Sequence, residues 1–232
     1  MKVALLQHTP DPEITVALAA RLCYSPVGID ALREKLSQSD IASFLDKIMS
    51  LGHQSVLEHV SFTFGIEGIS RATSHQLVRH RLASYSQQSQ RYVEFKGDGF
   101  PAVVPGTVDA SARRRAIFDE AMVACAAAYR ALVDDGVPAE DARFVLPNAA
   151  ETKIIVTMNA RELTHFFELR CCERAQWEIR AMAVEMLGLV KKIAPTIFRD
   201  TGPGCLTGPC PEGSMTCGKA AEVRRFFKEM SA

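Results

Sequence analysis

The sequence predicts an α+β protein, because its 232 residues interleave segments with two different hydrophobic periods. Residues 60–67 alternate apolar and polar side chains, which is typical of a strand with one buried face. Residues 109–133 instead repeat apolar side chains about every 3.6 positions, as a long amphipathic helix does. No internal repeat or linker-like stretch interrupts the chain, so its length leaves one large domain or two small ones open.

One strand and three helices are predicted at the N-terminal end. Residues 3–7 are the strand candidate. Asp11, which is followed by proline and glutamate, has the composition of an N-cap in front of a helix. A second helix is expected from about Asp30, and a third runs from about Asp40 and stops at Gly52.

The middle of the chain begins with the strand at 60–67, and a helix is expected at 70–78. Residues 91–95 are predicted to resume as a strand, and residues 97–105 form a loop rich in glycine and proline. Asp109 is the expected N-cap of the long helix, which we interpret as core scaffolding.

Towards the C-terminus, a short helix lies between prolines at 138–147, and a strand follows at 152–158. Asn159 can cap the next helix. Helical spacing gives that helix two faces with polar residues, so each face is expected to contact a different part of the protein or a different ligand. One face holds Asn159, Leu163, Phe166 and Arg170, and the other holds Arg161, His165, Glu168 and Cys172. A second core helix is predicted after Glu173, with Trp177, Ala181, Val184 and Leu187 in its apolar pattern.

Composition limits the class of function. Lysine plus arginine equals aspartate plus glutamate, 27 of each, and this balance argues against a general nucleic-acid binder. The N-terminal apolar run is too short for a signal peptide, and no stretch approaches the ~20 apolar residues of a membrane-spanning helix. Seven cysteines, an odd number, do not resemble a secreted disulfide framework, so a reducing cytoplasm is expected.

The segment from Arg79 to Arg91, RHRLASYSQQSQR, is the main candidate for a binding site. It combines three arginines and a histidine with serines and glutamines, and it contains no acid. Guanidinium groups suit phosphate or carboxylate, while Ser and Gln offer the donors and acceptors that a heterocycle needs. The segment therefore indicates a nucleotide-like ligand, and a solvated basic loop is the alternative.

Three common motifs are absent from the sequence. It contains no G-x-G-x-x-G after a strand, no G-x-x-x-x-G-K-[ST] and no G-x-S-x-G elbow. Side chains, rather than a glycine-rich backbone, must therefore hold the phosphates of any bound nucleotide.

Two segments raise the question of a metal. His53 and His59 flank Glu58, but this spacing is not that of a helical zinc motif, so structural or ligand-contacting histidines are favoured. Cys205, Cys210 and Cys217 lie in a Gly/Pro-rich tail, without the paired knuckles of a zinc ribbon. Free thiols in an extended segment are expected, and a metal cluster with Cys171 and Cys172 is the alternative. No metal site is predicted.

Arg79-His80-Arg81, seven residues and then Ser89 resemble the R-H-R-x7-S signature of the flavin-dependent thymidylate synthases, the ThyX family. Further segments are similar in the same order: residues 52–59, 62–64, Gln76, 142–147, 159–161 and 170–178. The resemblance covers roughly residues 1–198 as a catalytic domain. Residues 199–232 form a Gly/Pro/Cys-containing tail with a short terminal helix.

The resemblance implies a mixed or antiparallel sheet flanked by helices, as in the ThyX fold. It also implies the conversion of dUMP to dTMP, with methylenetetrahydrofolate as the carbon donor and NADPH as the reductant through FAD. Hydride, not a cysteine thiolate, then activates the uracil. A homotetramer with sites between subunits is expected, with no nucleic-acid or membrane partner.

The same resemblance assigns residues. Arg170 is the expected catalytic group, which stabilises uracil deprotonated at N3, and His53 is placed near flavin or folate. The dUMP residues are Gln76, Leu77, Val78, Arg79, Gln87, Gln88, Ser89, Gln90, Arg91, Arg143 and Arg170. The FAD residues are Ser55, Arg79, His80, Arg81, Gln87, Asn159, Ala160, Arg161 and His165.

Two positions depart from other members of the family. Gln87 stands where other members can carry Glu, and His165 stands where some have Asn. Both departures leave the ligand contacts at these positions open, and neither bears on the reaction. Two other functions remain as alternatives: a non-catalytic nucleotide or RNA binder that uses the same arginines, and a flavin oxidoreductase without methyl transfer.

Overall fold

A four-stranded antiparallel sheet and a larger set of helices confirm the α+β prediction. The computed structural model describes residues 1–37, 40–95, 97 and 99–230. The strands follow one another in the sheet in the order β1-β2-β4-β3. Their bounds are β1 Lys2–His8, β2 Ser61–Ser70, β3 Ala83–Gln87 and β4 Glu151–Asn159.

The helices account for most of the regular structure. They are α1 Pro12–Leu22, α2 Ile29–Ser37, α3 Ile41–Ser50, α4 Arg71–Leu77, α5 Gly106–Asp109, α6 Ala112–Asp134, α7 Ala139–Ala142, α8 Ala160–Arg170, α9 Trp177–Ile193 and α10 Ala220–Glu229. Short 3₁₀ helices occupy Gln54–His59, Arg143–Val145 and Gly213–Met215. Over the described ranges, none of the helices combines the length and hydropathy that crossing a membrane requires.

The first helices begin and end where the sequence predicts. Pro12 is the first residue of α1, although Asp11 has a positive φ of 44° and its side chain makes no capping hydrogen bond. Asp40 does cap α3, because its Oδ1 accepts the N–H of Ser43 at 3.1 Å. Gly52 then takes a φ of 73°, a left-handed conformation that glycine adopts without steric cost.

The predicted strand at 91–95 is wrong, and β3 lies earlier, inside the arginine-rich segment. The ladder to β4 ends where the N–H of Gln88 donates to the carbonyl of Lys153 at 3.0 Å. Ser89 then turns the chain: its Oγ accepts the N–H of Arg91 at 3.1 Å, and its carbonyl accepts the N–H of Val93 at 3.0 Å. Local side-chain bonding of this kind competes with strand pairing.

The long helix differs from prediction in two respects. Asp109 belongs to the separate helix α5, and α6 begins only after the extended Ser111, at φ −146°. The helix is also not core scaffolding in the single chain, because only Ala126 and Tyr129 on it are buried. Ile117 is 60% exposed and Val123 is 68% exposed. The helical period therefore predicted the helix correctly, but it did not predict that most of the helix is exposed in the single chain.

Over the described residues the chain divides into two compact units. The first consists of Met1–Lys2, Ile66–Arg79 and Tyr85–Ile155, and the second of Val3–Gly65, His80–Ser84 and Val156–Ala232. Fully buried aromatic rings are prominent in the core of the second unit. Phe198 packs edge-on against Phe62 at a centroid distance of 5.5 Å and against Phe167 at 6.2 Å.

The cysteine-bearing tail is folded and not extended, which corrects the prediction. Cys205 and Leu206 are buried, and Gly202 has no room for a Cβ, which would lie 2.9 Å from Leu206 Cδ2. Arg224 on α10 donates from Nε to the carbonyl of Cys205 at 2.8 Å and from Nη2 to that of Gly208 at 2.7 Å. None of the seven cysteines, all of which the structure describes, forms a disulfide.

Replacing Phe198 by Ala should lower the free energy of unfolding by about 3–5 kcal/mol, because it removes a buried ring and leaves a cavity among neighbours that cannot close it. Chemical denaturation of both proteins at equal chain concentration measures the difference. Phe226→Ala is the control, since Phe226 is nearly half exposed and should cost much less. Equal losses in the two variants would contradict the assignment of Phe198 to the core.

Candidate functional site

A pair of arginines and an amide line an open cavity in the first unit. Arg71, the first residue of α4, donates from Nη2 to Gln90 Oε1 at 2.8 Å. Arg143 comes from the 3₁₀ turn that follows α7 and lines the same cavity, which has a volume of about 310 Å³. The full lining is Arg71, His75, Gln90, Arg143, Phe144, Leu146, Pro147 and Asn148.

Backbone bonds fix the start of α4 beside this cavity. Ser70 caps the helix, because its Oγ accepts the N–H of Thr73 at 3.1 Å. The N–H of Arg71 donates to the carbonyl of Ala150 at 3.0 Å, and the N–H of Ala72 donates to that of Asn148 at 3.1 Å. These partners satisfy backbone donors that the first turn of a helix leaves unpaired. The position of Arg71 is therefore set by the backbone.

The electrostatics of the cavity favour an anion. Burial, and secondly the nearby guanidinium of Arg143, lower the pKa of Arg71 from its ordinary value. No carboxylate is among the lining residues, so within the described structure the two cations share the cavity without an acid. A phosphate would offer both guanidiniums a charge-assisted and bidentate partner.

Of the residues predicted to bind dUMP, Gln90 and Arg143 line this cavity and the others in the first unit do not. Gln87 donates from Nε2 to Thr152 Oγ1 at 3.2 Å, and Arg91 pairs through Nε with Glu140 Oε2 at 2.9 Å. The remaining predicted residues of this unit lie along α4 and the segment on either side of β3: Gln76, Leu77, Val78, Arg79, Gln88 and Ser89.

The side chain of Leu77 is fully buried. Its carbonyl accepts a hydrogen bond from the hydroxyl of Tyr85 at 2.9 Å. Val78 and Arg79 are exposed where α4 ends. Gln76 is half-buried, and its Nε2 reaches the carbonyl of Ala72 only at 3.5 Å. The end of α4 is thus anchored by Tyr85, while Arg79 projects from it.

Sequence reasoning missed Arg71 and His75. Both lie on α4, four residues apart and therefore on one face, and this is the helix that was expected to deliver Gln76 and Arg79. The signal was available: an arginine directly after a buried strand begins a helix whose face is otherwise assigned to ligand.

A buried chain of three polar side chains forms the core of the second candidate group. Glu162 Oε1 accepts a hydrogen bond from His80 Nδ1 at 3.2 Å, and Arg170 Nε donates to His80 Nε2 at 3.1 Å. The ring of His80 is only 5% exposed and packs edge-on against Phe166, 4.9 Å between centroids. The histidine therefore joins the catalytic candidate Arg170 to a buried carboxyl.

The hydrogen bonds determine the tautomer of His80. Arginine can only donate, so Nε2 must present its lone pair to Arg170 and the proton must lie on Nδ1. Burial, then the charges of Arg170 and His165, lower the pKa of His80 to about 4. The contact with Glu162 is accordingly a hydrogen bond from a neutral ring and not an ion pair. Burial also raises the pKa of Glu162.

Several predicted flavin residues lie on the exposed surface of the second unit. Arg161 pairs through Nη1 with Glu58 of the first 3₁₀ helix, where Ser55 is also exposed. The rings of His165 and His80 meet edge-on, with centroids 5.9 Å apart. Arg81 is exposed as well.

The remaining flavin candidates of this unit are tied into the fold. Asn159 caps α8, because its Oδ1 accepts the N–H of Glu162 at 2.8 Å. Ala160 is fully buried, and its N–H donates to the carbonyl of Val60 at 2.9 Å. His53 is half-buried, with Nδ1 3.1 Å from the hydroxyl of Tyr24. Asn159 and Ala160 thus fix the helix that presents Arg161 and Arg170.

A larger cavity of about 750 Å³ lies along α9, among Lys191, Lys192 and Arg199. None of the residues predicted for the reaction lines it. Lys191 there donates to the carbonyl of Arg199 at 3.1 Å. The volume of a cavity therefore does not identify the site. The hydrogen-bond donors of Arg71 and Arg143 in the smaller cavity indicate the site instead.

The family model described as thymidylate synthase complementing protein (Thy1) matches residues 4–196. The flavin-dependent thymidylate synthase of Geobacter sulfurreducens is 84% identical over 231 residues, which cover 100% of both chains. The enzyme of the same name from Clostridium tetani is 52% identical over 243 aligned positions, covering 98% of this chain and 97% of its own. That of Pyrococcus furiosus is 44% identical and covers 100% and 98%.

We predict that the ring of His80 remains neutral, with the proton on Nδ1, from neutral pH down to about pH 4. Nitrogen NMR of isotope-labelled histidine distinguishes the two tautomers and the charged ring. Glu162→Gln should keep this tautomer, because an amide oxygen still accepts from Nδ1–H, whereas Glu162→Ala removes the acceptor. A ring already charged at pH 6, or protonated on Nε2, would contradict the arrangement.

The same shift predicts how stability depends on pH. Because the pKa of His80 falls from 6.5 to about 4 on folding, the unfolded chain binds more protons between these values. His80 therefore lowers the free energy of unfolding as the pH falls from 6.5 towards 4. Denaturation at several pH values should show a shallower decline in that window for His80→Gln than for the parent.

Proposed function

The chain belongs to the Thy1 family, and we propose that it is a flavin-dependent thymidylate synthase that reductively methylates dUMP to dTMP. Methylenetetrahydrofolate would donate the carbon, and NADPH would supply the reducing equivalents through FAD. Substrates of this kind are small molecules, and a cytoplasmic location fits nucleotide biosynthesis.

The arginine pair supports the proposal most directly. Arg71 and Arg143 share an acid-free cavity with the amide of Gln90. A pyrimidine monophosphate has a dianionic phosphate for the guanidiniums and carbonyl and N–H groups for an amide. We assign the phosphate to these two arginines. The contacts with dUMP expected of Gln76, Arg79, Gln87, Gln88, Ser89 and Arg91 stay predictions.

Arg170 is the group that we assign to activation of the uracil. C5 of uracil is a poor nucleophile, and a guanidinium beside N3 would stabilise the anion formed when N3 loses its proton. Nε of Arg170 is already held by His80, and its terminal nitrogens have no partner among the described residues. They are therefore free to face a ring, while the side chain stays in a fixed orientation.

A thiolate route is disfavoured at the neighbouring cysteine. Cys171 directly follows Arg170, but burial raises the pKa of its thiol to about 12. A thiol with such a pKa is almost fully protonated near neutral pH and is a poor nucleophile. This agrees with a reaction in which hydride, and not sulfur, is added to the uracil.

The donors of the second unit fit a flavin dinucleotide. Arg81 and Arg161 are exposed cations, and His165 and Ser55 add hydrogen-bonding groups, which together suit a pyrophosphate without a glycine-rich loop. When bound, FAD would accept reducing equivalents from NADPH and pass hydride to the pyrimidine. Glu58 now pairs with Arg161, so a pyrophosphate would compete with that carboxylate.

We further propose a homotetramer with sites at subunit interfaces. Ile117 and Val123 on α6 and Phe144 beside the arginine pair are large apolar side chains that the single chain leaves exposed. Exposed apolar surface next to a polar site is typical of an interface. A second copy of the chain would bury these side chains and close the open cavity.

The defining test is an omission experiment with purified protein. A yellow preparation should form dTMP only when dUMP, methylenetetrahydrofolate and NADPH are all present, as quantified by chromatography. Consumption of NADPH at the same rate without dUMP, and without dTMP, would instead identify a flavin oxidoreductase. Steeply salt-dependent RNA binding without flavin absorbance would identify a nucleic-acid binder.

Arg170→Ala should lower kcat by roughly 100-fold or more while the flavin spectrum is retained, because a donor aimed at developing charge is worth about 3–4 kcal/mol. Arg170→Lys keeps the charge but loses the planar Nε contact with His80, so we expect partial recovery. An unchanged kcat in Arg170→Ala would remove the residue from the reaction.

Arg71→Ala should raise KM for dUMP by roughly 10- to 100-fold, since a charge-assisted hydrogen bond contributes about 1.5–3 kcal/mol. Flavin binding should not change. Arg33→Ala, which removes an exposed charge from α2, is the matched control and should leave KM unaltered. If both variants behave alike, Arg71 does not hold the phosphate.

A further inference from the structure

Four thiols from distant parts of the sequence line one small cavity in the second unit. Cys172, Cys205, Cys210 and Cys217 surround a space of about 140 Å³. The same lining contains Glu168, Glu173, Arg174 and Glu212. The proposed reaction uses none of these cysteines. Of the remaining cysteines, Cys171 precedes Cys172, Cys23 is the C-cap of α1, and Cys125 lies on α6.

The chain presents the four thiols in two ways. Cys172 directly follows the C-cap of α8, and Cys205 is buried, with its carbonyl bonded to Arg224, so both positions are well anchored. Cys210 and Cys217 lie in a segment of turns around Gly213, whose φ is 53°. Two of the thiols are therefore anchored by helix α8 and by burial, and the other two lie on turns.

The turn at Cys217 carries a second, independent feature of a metal-binding thiol. Gly218 has a φ of 75°, which turns the chain back so that the N–H of Lys219 points at Cys217 Sγ, 3.5 Å away. Hydrogen bonds to ligand sulfurs are a recognised means of tuning metal sites. Arg174, which lines the same cavity, adds a positive charge.

We propose that Cys172, Cys205, Cys210 and Cys217 bind one structural Zn²⁺ ion. Four thiolates in tetrahedral geometry are a common structural zinc site, and soft sulfur ligands select zinc over calcium or magnesium. Binding converts four thiols and Zn²⁺ into a tetrathiolate complex of net charge −2 and releases four protons, and no oxidation takes place.

The site is not preformed. Over the described ranges, no three His, Cys, Asp or Glu side chains are already arranged to hold a metal. Zinc binding must therefore bring the four thiols that line the cavity closer together. The free energy of metal binding then contributes to folding of the tail, and it ties the tail to the end of α8, two residues beyond Arg170.

Cobalt is the probe for the test, because tetrahedral cobalt thiolates absorb strongly in the near-ultraviolet and visible ranges. Full-length protein freed of metal under reducing conditions is titrated with Co²⁺ and then with Zn²⁺. We expect one Co²⁺ per chain with thiolate charge-transfer bands, and loss of those bands as Zn²⁺ displaces it. Absence of the bands, or an iron–sulfur chromophore in the purified protein, would overturn the proposal.

Variants assign the ligands. Cys210→Ser and Cys217→Ser should each weaken Co²⁺ binding by more than roughly 100-fold, while Cys23→Ser and Cys125→Ser, which change thiols outside the cavity, should not. Equal binding by Cys210→Ser and the parent would refute the assignment.

A measurement on the unaltered chain does not depend on whether the variants fold. Zn²⁺ should protect Cys172, Cys205, Cys210 and Cys217 from alkylation, as mapped by mass spectrometry, and should leave the exposed Cys23 reactive. Alkylation of Cys210 and Cys217 at the same rate with and without Zn²⁺ would count against the site. Neither experiment involves dUMP or flavin, so its outcome is separate from that of the proposed function.

Discussion

The hydrogen bond from Arg170 to His80 is the interaction on which the catalytic assignment depends. A guanidinium on a flexible side chain can act at one atom of a substrate only if its orientation is fixed. His80 supplies that orientation because its ring is buried against Phe166 and its other nitrogen donates to Glu162. A charged ring would have no lone pair to accept the hydrogen bond from Arg170. Burial keeps the ring of His80 neutral, so it also maintains the orientation of Arg170. The central histidine of the R-H-R motif therefore acts inside the protein, whereas Arg81 beside it is exposed.

The arginine pair follows a different principle. Arg71 is half-buried, and its guanidinium lies near a second cation, an arrangement that costs free energy in the absence of a ligand. Backbone hydrogen bonds at the start of α4 and the amide of Gln90 keep it in place. An anion relieves the repulsion, so part of the affinity for phosphate comes from a site that is electrostatically unfavourable when empty. Such sites bind charge selectively, because a neutral ligand gains nothing from them.

The sequence predicted elements better than it predicted their surroundings. The helices and strands could be located because their signals are local. These signals are the hydrophobic period, the helix caps Asp40 and Asn159, and Gly52 after the end of α3. The failures were non-local. The strand expected at 91–95 was displaced by the turn at Ser89, and on α6 only Ala126 and Tyr129 are buried in the single chain. The family resemblance singled out Gln90 and Arg143, which line the cavity in the structure. It did not single out Arg71, because that residue lies outside every segment that carries the resemblance.

Helix α6 and the tail both contain residues that the core of the single chain does not bury. Each therefore needs a further interaction that stabilises it. On α6, apolar side chains stay exposed in the single chain, and in the proposed homotetramer another copy would bury them. The tail buries Cys205 and Leu206 but exposes most residues of its turns, so cross-linking by a metal stabilises it where packing cannot. The four thiols come from the end of α8 and from three positions beyond the reach of the recognised motif. Cysteine spacings of five and seven do not signal zinc, because the fourth proposed ligand, Cys172, lies more than thirty residues earlier in the chain.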